Sequence, residues 1–174
     1  MQLEPLTFMH QVGGRMLSGI AACVFKSYAR GWLEFESAEI DSQPRIFSNY
    51  LSDERDYAKL RDGLGRAIEF CGSKAIQAVT EGVRRPLEDE LADEAALETW
   101  IRRNVSTGAH PTCTARMGPA DDAGAVADER GLVHGVRNLR IADASVMPVV
   151  PRANTNVPTI MVGERIGEWL RAEM

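Results

Sequence analysis

LRIADASVMPVVPRANTNVPTIMVGERIGEWL, residues 139–170, sets the character of this chain. It opens with a short apolar piece, Leu139-Arg140-Ile141, that reads as a strand ending at Asp143, and Ala144, Ser145 and Pro148 follow in a run of small and turn-forming residues. After Pro151 the pattern changes period. Asn156 suits a helix N-cap and Pro158 is tolerated in a first turn. Val162, Ile166, Trp169 and Leu170 then recur on one face of a helix. Gly163 and Gly167, four apart on that helix, allow another backbone to come close. A strand and a capped helix within one stretch point to mixed architecture.

Working outward, residues 20–26 and 32–36 form two extended pieces around Ser27-Tyr28-Ala29-Arg30-Gly31. Trp32-Leu33-Glu34-Phe35-Glu36 alternates apolar and acidic residues as a half-buried strand does, so the two pieces are expected to pair as a hairpin. Arg45-Ile46-Phe47 is another short extended piece after Pro44. Ser52-Asp53 offers a cap for a helix through Tyr57, Leu60, Leu64, Ala67, Ile68 and Cys71. A second helix is expected within the charged stretch 82–105, with Leu97, Trp100 and Ile101 inward and its charges solvated. Strands and helices without regular alternation argue for an α+β arrangement. The expected division is into residues 1–107 and residues 108–174.

Composition excludes several classes. The 174 residues are 44% hydrophobic and 26% charged, enough apolar material for a core, and the formal charge of -5 leaves no basic stripe for a nucleic acid. The first residues show no basic-then-apolar leader, and no run approaches the ~20 apolar residues of a membrane span, so a cytoplasmic setting is the expectation. Cys23, Cys71 and Cys113 are dispersed, with no Cys-x-x-Cys pair, and His110 with Cys113 supplies only two ligands; no metal site is expected.

Three elements carry chemistry-bearing residues. His110-Pro111-Thr112-Cys113 places an imidazole, a group that titrates near ~6.5 and accepts protons at neutral pH, among small neighbours; Pro111 holds it in extended backbone. Asp143 at the end of a strand can bind a hydroxyl, with the amides of Ala144 and Ser145 available to an anion; an Asx-turn explains the same residues equally well. The free amides at the start of the last helix favour negative charge, though a capped helix alone also accounts for that stretch.

Their order is more telling than any one of them. His110-Pro111, Met117-Gly118, His134-Gly135-Val136, Leu139-Arg140, Asp143-Ala144-Ser145 with Met147-Pro148, and Asn154-Thr155-Asn156 with Pro158-Thr159 together resemble the carboxyl-terminal signature of the glucose–methanol–choline oxidoreductases. Upstream, residues 28–35 and Asn49-Tyr50-Leu51-Ser52 resemble the substrate-domain region of that family, so the likeness covers nearly the whole chain. Cys113 departs from it, standing where glycine is common.

The resemblance implies an FAD-dependent oxidoreductase that takes hydride from an alcohol. His110 would be the base and Asn154 the hydrogen-bond partner on the same substrate oxygen. Asp143 and Ala144 would lie against the ribityl and pyrophosphate of FAD, and Asn156, Val157, Pro158 and Thr159 against the pyrimidine edge of its flavin. It also implies a fold in which a substrate-domain sheet with packed helices is joined by the last strand and helix of an FAD-binding domain. The Gly-x-Gly-x-x-Gly turn that opens the family is absent here: Gly13-Gly14 and Gly63-x-Gly65 fail its spacing. The expectation is therefore an amino-terminal FAD-binding half supplied in cis or in trans. The other reading is a truncated remnant or interaction module that binds no FAD alone.

Overall fold

The computed structural model describes residues 2–12 and 15–173, with side chains from Ser18 onward. They form strands β1 (Gln2–Val12), β2 (Arg15–Cys23), β3 (Trp32–Glu34) and β4 (Arg45–Phe47), and helices α1 (Glu54–Cys71), α2 (Lys74–Gln77), α3 (Glu94–Asn104) and α4 (Asn156–Glu173). Short 3-10 turns cover Asp89–Leu91 and Ala144–Val146. The architecture is mixed helix and strand. It divides into two compact units, one from Met1–Arg30 with Asn49–Ser106 and the other from Gly31–Ser48 with Thr107–Met174.

In the first unit β1 and β2 pair antiparallel from Gln2 against Cys23 to Val12 against Arg15, with a register shift between Leu6 and His10. α1 lies against β2. Its start is fixed locally: Asp53 is extended and its carboxylate accepts the Arg55 N–H at 2.9 Å, while Glu54 and Asp56 in the first turn complement the helix dipole. Asp56 is buried, and it binds the chain before β3 to the helix by accepting from Ser27 Oγ at 2.6 Å and from the Tyr28 and Ala29 amides at 2.8 Å each. Leu51, Tyr57 and Ile101 are the buried centre, with Leu60, Leu64, Leu97, Trp100 and Val105 packed around them. The apolar faces expected of α1 and α3 thus meet each other. α3 has its own cap, the Asp93 carboxylate accepting the Ala96 N–H at 2.8 Å.

In the second unit β3 and β4 pair antiparallel, Trp32 opposite Phe47, and these two rings stack with centroids 4.8 Å apart. Gly31 has no room for a side chain, because a Cβ there would lie 2.2 Å from the Phe47 carbonyl oxygen. The rest of the unit is held by backbone crossings. Cys113, Ala115 and Met117 donate to the carbonyls of Ala144, Ser145 and Val146 at 3.2, 3.0 and 2.8 Å. Ala127, Val146, Met147 and Ile166 are buried, the last from α4. Arg140 pairs with Glu173 at the far end of α4, and its Nη1 is buried without a partner among the described residues.

Two sequence expectations are corrected. Residues 20–26 and 32–36 do not pair with each other: β2 pairs with β1, and β3 with β4. Ser27, Tyr28 and Ala29, between β2 and β3, are instead drawn onto Asp56. Nor is Leu139-Arg140-Ile141 a strand. Arg140 makes one isolated bridge to Leu132, and the neighbouring bonds, Val133 N–H to Leu139 and Ile141 N–H to Gly131, tie it to one short loop rather than to a ladder. Of the two glycines on α4, Gly163 comes close to a backbone, its Cβ position 3.4 Å from the Ala142 oxygen, while Gly167 faces open space.

Candidate functional site

His110 and Asn154 lie 44 residues apart in sequence and meet in the second unit, His110 Nε2 standing 2.8 Å from Asn154 Nδ2. The meeting is produced by the backbone. Beyond His110, residues 113–117 are laid along 144–146 by the three hydrogen bonds given above, and α4 packs against that same turn. Both ends of the pair are therefore anchored to the segment around residues 144–146. On the His110 side the chain uses left-handed backbone at Ala109 (φ 59) and Cys113 (φ 67). A non-glycine residue is disfavoured in that region.

The two side chains that hydrogen-bond the imidazole, Asn154 and Thr155, are neutral. Asn154 Oδ1 accepts the backbone N–H of Asn156 at 3.0 Å, which turns its NH2 towards His110 Nε2. On the opposite ring edge, Thr155 Oγ1 lies 3.0 Å from His110 Nδ1. Thr155 is buried, and its carbonyl accepts both the N–H and the hydroxyl of Thr159, at 2.9 and 2.7 Å. His110 and Asn154 themselves are exposed. Thr155 was not among the residues singled out from the sequence. Its position between two asparagines was the available signal, but an unassisted Thr at a helix start reads as a cap.

The expected cofactor-contacting residues fall into two groups. α4 begins at Asn156, one residue earlier than a cap at Asn156 implies, with the Asn154 side chain reaching back to the first helical amide. Thr159 N–H is used by Thr155 and Pro158 has none, which leaves the Val157 N–H without a protein hydrogen bond among the described residues. That amide and the helix dipole form a small electropositive spot beside Asn154. At the other group, Asp143 Oδ1 accepts from Ser145 N–H at 2.8 Å and from Ser145 Oγ at 2.5 Å. The Ser145 amide is thus committed to the Asx-turn, one of the two readings the sequence left open, and is not available to an anion. Asp143 Oδ2 has no protein donor among the described residues.

Behind His110 the chain is braced by charge. Arg116 and Asp122 pair through both guanidinium nitrogens at 2.8 Å, Asp122 also accepts the Gly124 N–H at 2.9 Å, and His134 Nε2 lies 3.0 Å from the Gly118 carbonyl. The Arg116 hydrogen bond, aided by the Gly124 amide, holds the Asp122 carboxyl below its ordinary range and raises Arg116 in turn. A Cβ at Gly124 would lie 2.4 Å from an Arg116 nitrogen, so a side chain there would displace the guanidinium.

Residues 27–163 match the GMC oxidoreductase family over most of the chain. This chain belongs to that family. The GMC chain is 41% identical over 92% of its length to a 5-(hydroxymethyl)furfural oxidase of Methylovorus sp. strain MP688, and 38% identical over 83% to an oxygen-dependent choline dehydrogenase of Vibrio vulnificus strain YJ016. It spans 33% and 26% of those two proteins, a third or less of their length. Among solved structures, the formate oxidase of Aspergillus oryzae RIB40 superposes with a TM-score of 0.75 at 28% identity, over 82% of this chain and 25% of that one. The resemblance drawn from the ordered motifs is thereby confirmed, and with it the mixed helix-and-strand architecture. A fungal aryl-alcohol oxidase shares the fold over 97% of this GMC chain and 28% of its own, TM-score 0.73 at 24% identity. Among the described residues no helix is long and apolar enough to cross a membrane.

Proposed function

We propose that this chain is the carboxyl-terminal part of an FAD-dependent oxidoreductase acting on a primary or secondary alcohol, with residues 1–107 shaping the substrate side and 108–174 carrying the catalytic and flavin-contacting groups. The observation that supports this most is the 2.8 Å approach of His110 Nε2 to Asn154 Nδ2. A hydroxyl placed against both nitrogens meets an acceptor for its proton and a donor for the oxygen left behind. Developing alkoxide needs both at once, and a carboxamide provides the second without competing for the proton.

The residues present fit the flavin in part. The open Val157 amide and the dipole at the start of α4 suit an anionic ring edge, with Asn156, Pro158 and Thr159 shaping the approach. Asp143 Oδ2 suits a sugar-type hydroxyl, and Ala144 lies beside it in the same turn. When bound, FAD would supply the hydride acceptor. The nucleotide end is assigned to an amino-terminal half in cis or in trans, in keeping with the third or less of its relatives that this chain spans. Within the chain, His110 takes the hydroxyl proton at Nε2, Asn154 holds the oxygen through its NH2, and the Asn156 N–H keeps that NH2 aimed.

The test is turnover in the enzyme assembled with its flavin-binding half. His110→Ala and Asn154→Ala are each expected to lower kcat by roughly 100-fold or more, in the range of general-base and oxyanion-donor removals, with flavin content unchanged. Full activity in both variants rules the assignment out.

A further inference from the structure

We infer that the backbone N–H of Asn156, acting through the Asn154 side chain, fixes the tautomer of His110 with hydrogen on Nδ1 and the lone pair on Nε2. The inference rests on the reading of His110 as the base and adds what keeps that base in its competent form. Asn156 is a positioning residue here through its main chain, not its side chain.

The cause lies at the start of α4. The first amides of an α-helix have no carbonyl before them in the helix, and each needs a partner from outside it. Asn156 is the first residue of α4, and its N–H lies 3.0 Å from Asn154 Oδ1. A backbone N–H only donates, so the oxygen of the Asn154 amide is held at the helix and the NH2 is turned to His110. An amide NH2 offers no lone pair to a ring N–H. At 2.8 Å from Nδ2, His110 Nε2 is therefore the acceptor, and in a neutral imidazole the hydrogen is then on Nδ1.

Each alternative sets two donors face to face. The opposite tautomer points Nε2–H at the Asn154 NH2, and turning the amide over to relieve that contact points the NH2 at the Asn156 N–H instead. Thr155 Oγ1, 3.0 Å from Nδ1, follows the choice and does not make it, because a hydroxyl donates to a bare nitrogen as readily as it accepts from a protonated one. The same contact that caps the first amide of α4 thus presents the Nε2 lone pair beside Asn154. One hydrogen of the Asn154 NH2 is used on Nε2 and the other remains for an oxygen brought up to the pair.

The test is the long-range proton–nitrogen NMR spectrum of the 174-residue chain, recorded where the imidazoles are neutral, with the His110 signals identified by their loss in His110→Gln. Wild type should favour Nδ1–H over Nε2–H by roughly 5-fold or more, the weight of one hydrogen bond kept against one lost. Asn156→Pro deletes the N–H at a first helical position, where proline is tolerated, and frees the Asn154 amide to turn over, so the preference should disappear. Asn156→Ala keeps the N–H and should keep the preference. Asn154→Asp puts an oxygen where the NH2 stood and should bring hydrogen onto Nε2. Thr155→Val should leave the wild-type ratio in place. A wild-type spectrum with Nε2 protonated overturns the inference without any variant, so it stays testable even where Asn156→Pro misfolds. A preference that survives in folded Asn156→Pro, or is lost in folded Asn156→Ala or Thr155→Val, overturns it too and leaves the base assignment standing. Undiminished turnover of the assembled enzyme in His110→Ala removes the base assignment and leaves the tautomer result standing.

Discussion

Replacing Gly131 with alanine should destabilise the second unit by about 3 kcal/mol, from three sources. Gly131 has φ +77, where an L side chain costs roughly 1 kcal/mol or somewhat more. A Cβ there would stand 2.5 Å from the Ile141 carbonyl oxygen and 2.9 Å from Ile166 Cδ1. The oxygen belongs to backbone and cannot swing aside. The same two residues share a hydrogen bond, Ile141 N–H to the Gly131 carbonyl at 2.9 Å. Separating the backbones to an ordinary contact weakens that bond, worth about 1 kcal/mol, and disturbs the packing of the buried Ile166, worth about 1 kcal/mol more. The assay is urea unfolding followed by far-ultraviolet circular dichroism, with Gly65→Ala as the control. Gly65 is exposed in the middle of α1, and its Cβ position meets nothing within 4 Å, so alanine there should stabilise by about 0.5–1 kcal/mol. A midpoint for Gly131→Ala within 0.5 kcal/mol of wild type would refute the reasoning.

Other substitutions test other contacts. Asp56→Ala strips the acceptor from Ser27 Oγ and from the Tyr28 and Ala29 amides, and should cost about 3 kcal/mol in the same assay; a loss under 1 kcal/mol would show that the turn holds itself. Cys113→Gly removes roughly 1 kcal/mol of left-handed strain and returns about half of it to the unfolded chain, so a net gain of about 0.5 kcal/mol is expected, and a loss would count against strain at φ 67. Acid should affect the Arg116–Asp122 loop in one direction. The Asp122 carboxyl is depressed in the folded chain, so its contribution is complete above its ordinary range near pH 4 and is lost as pH falls through the lower folded value. Arg116→Ala should bring the Asp122 titration, followed by NMR, back up; an unmoved titration would mean that the guanidinium is not the cause. Asp53, held at about 2 by Arg55, should keep the α1 cap ionised well below pH 4, and Arg55→Ala should end that resistance.

What the sequence made legible is local. The start of α1 could be read because Asp53 caps an amide two residues away, and the inward faces of α1 and α3 because Tyr57, Leu97 and Ile101 recur at the helical period, whereas the Asp93 cap of α3 was not read. The family was legible for a related reason: its signature is a string of short motifs in fixed order. Pairings between distant segments were not legible. An extended run fixes which residues share a face but not which neighbour accepts its hydrogen bonds, so β2 found β1 and β3 found β4. Residues 139–141 have the composition of a strand and only one short loop to pair with.

His110 and Asn154 were named from motifs, and composition alone marks neither as a partner of the other. Their approach, the commitment of the Ser145 amide to Asp143, and the hydroxyl of Thr155 under the imidazole are decided by where the folded backbone brings each donor and acceptor. A hydrogen bond depends on tenths of an ångström between groups dozens of residues apart, and such distances are set only when the intervening chain has packed.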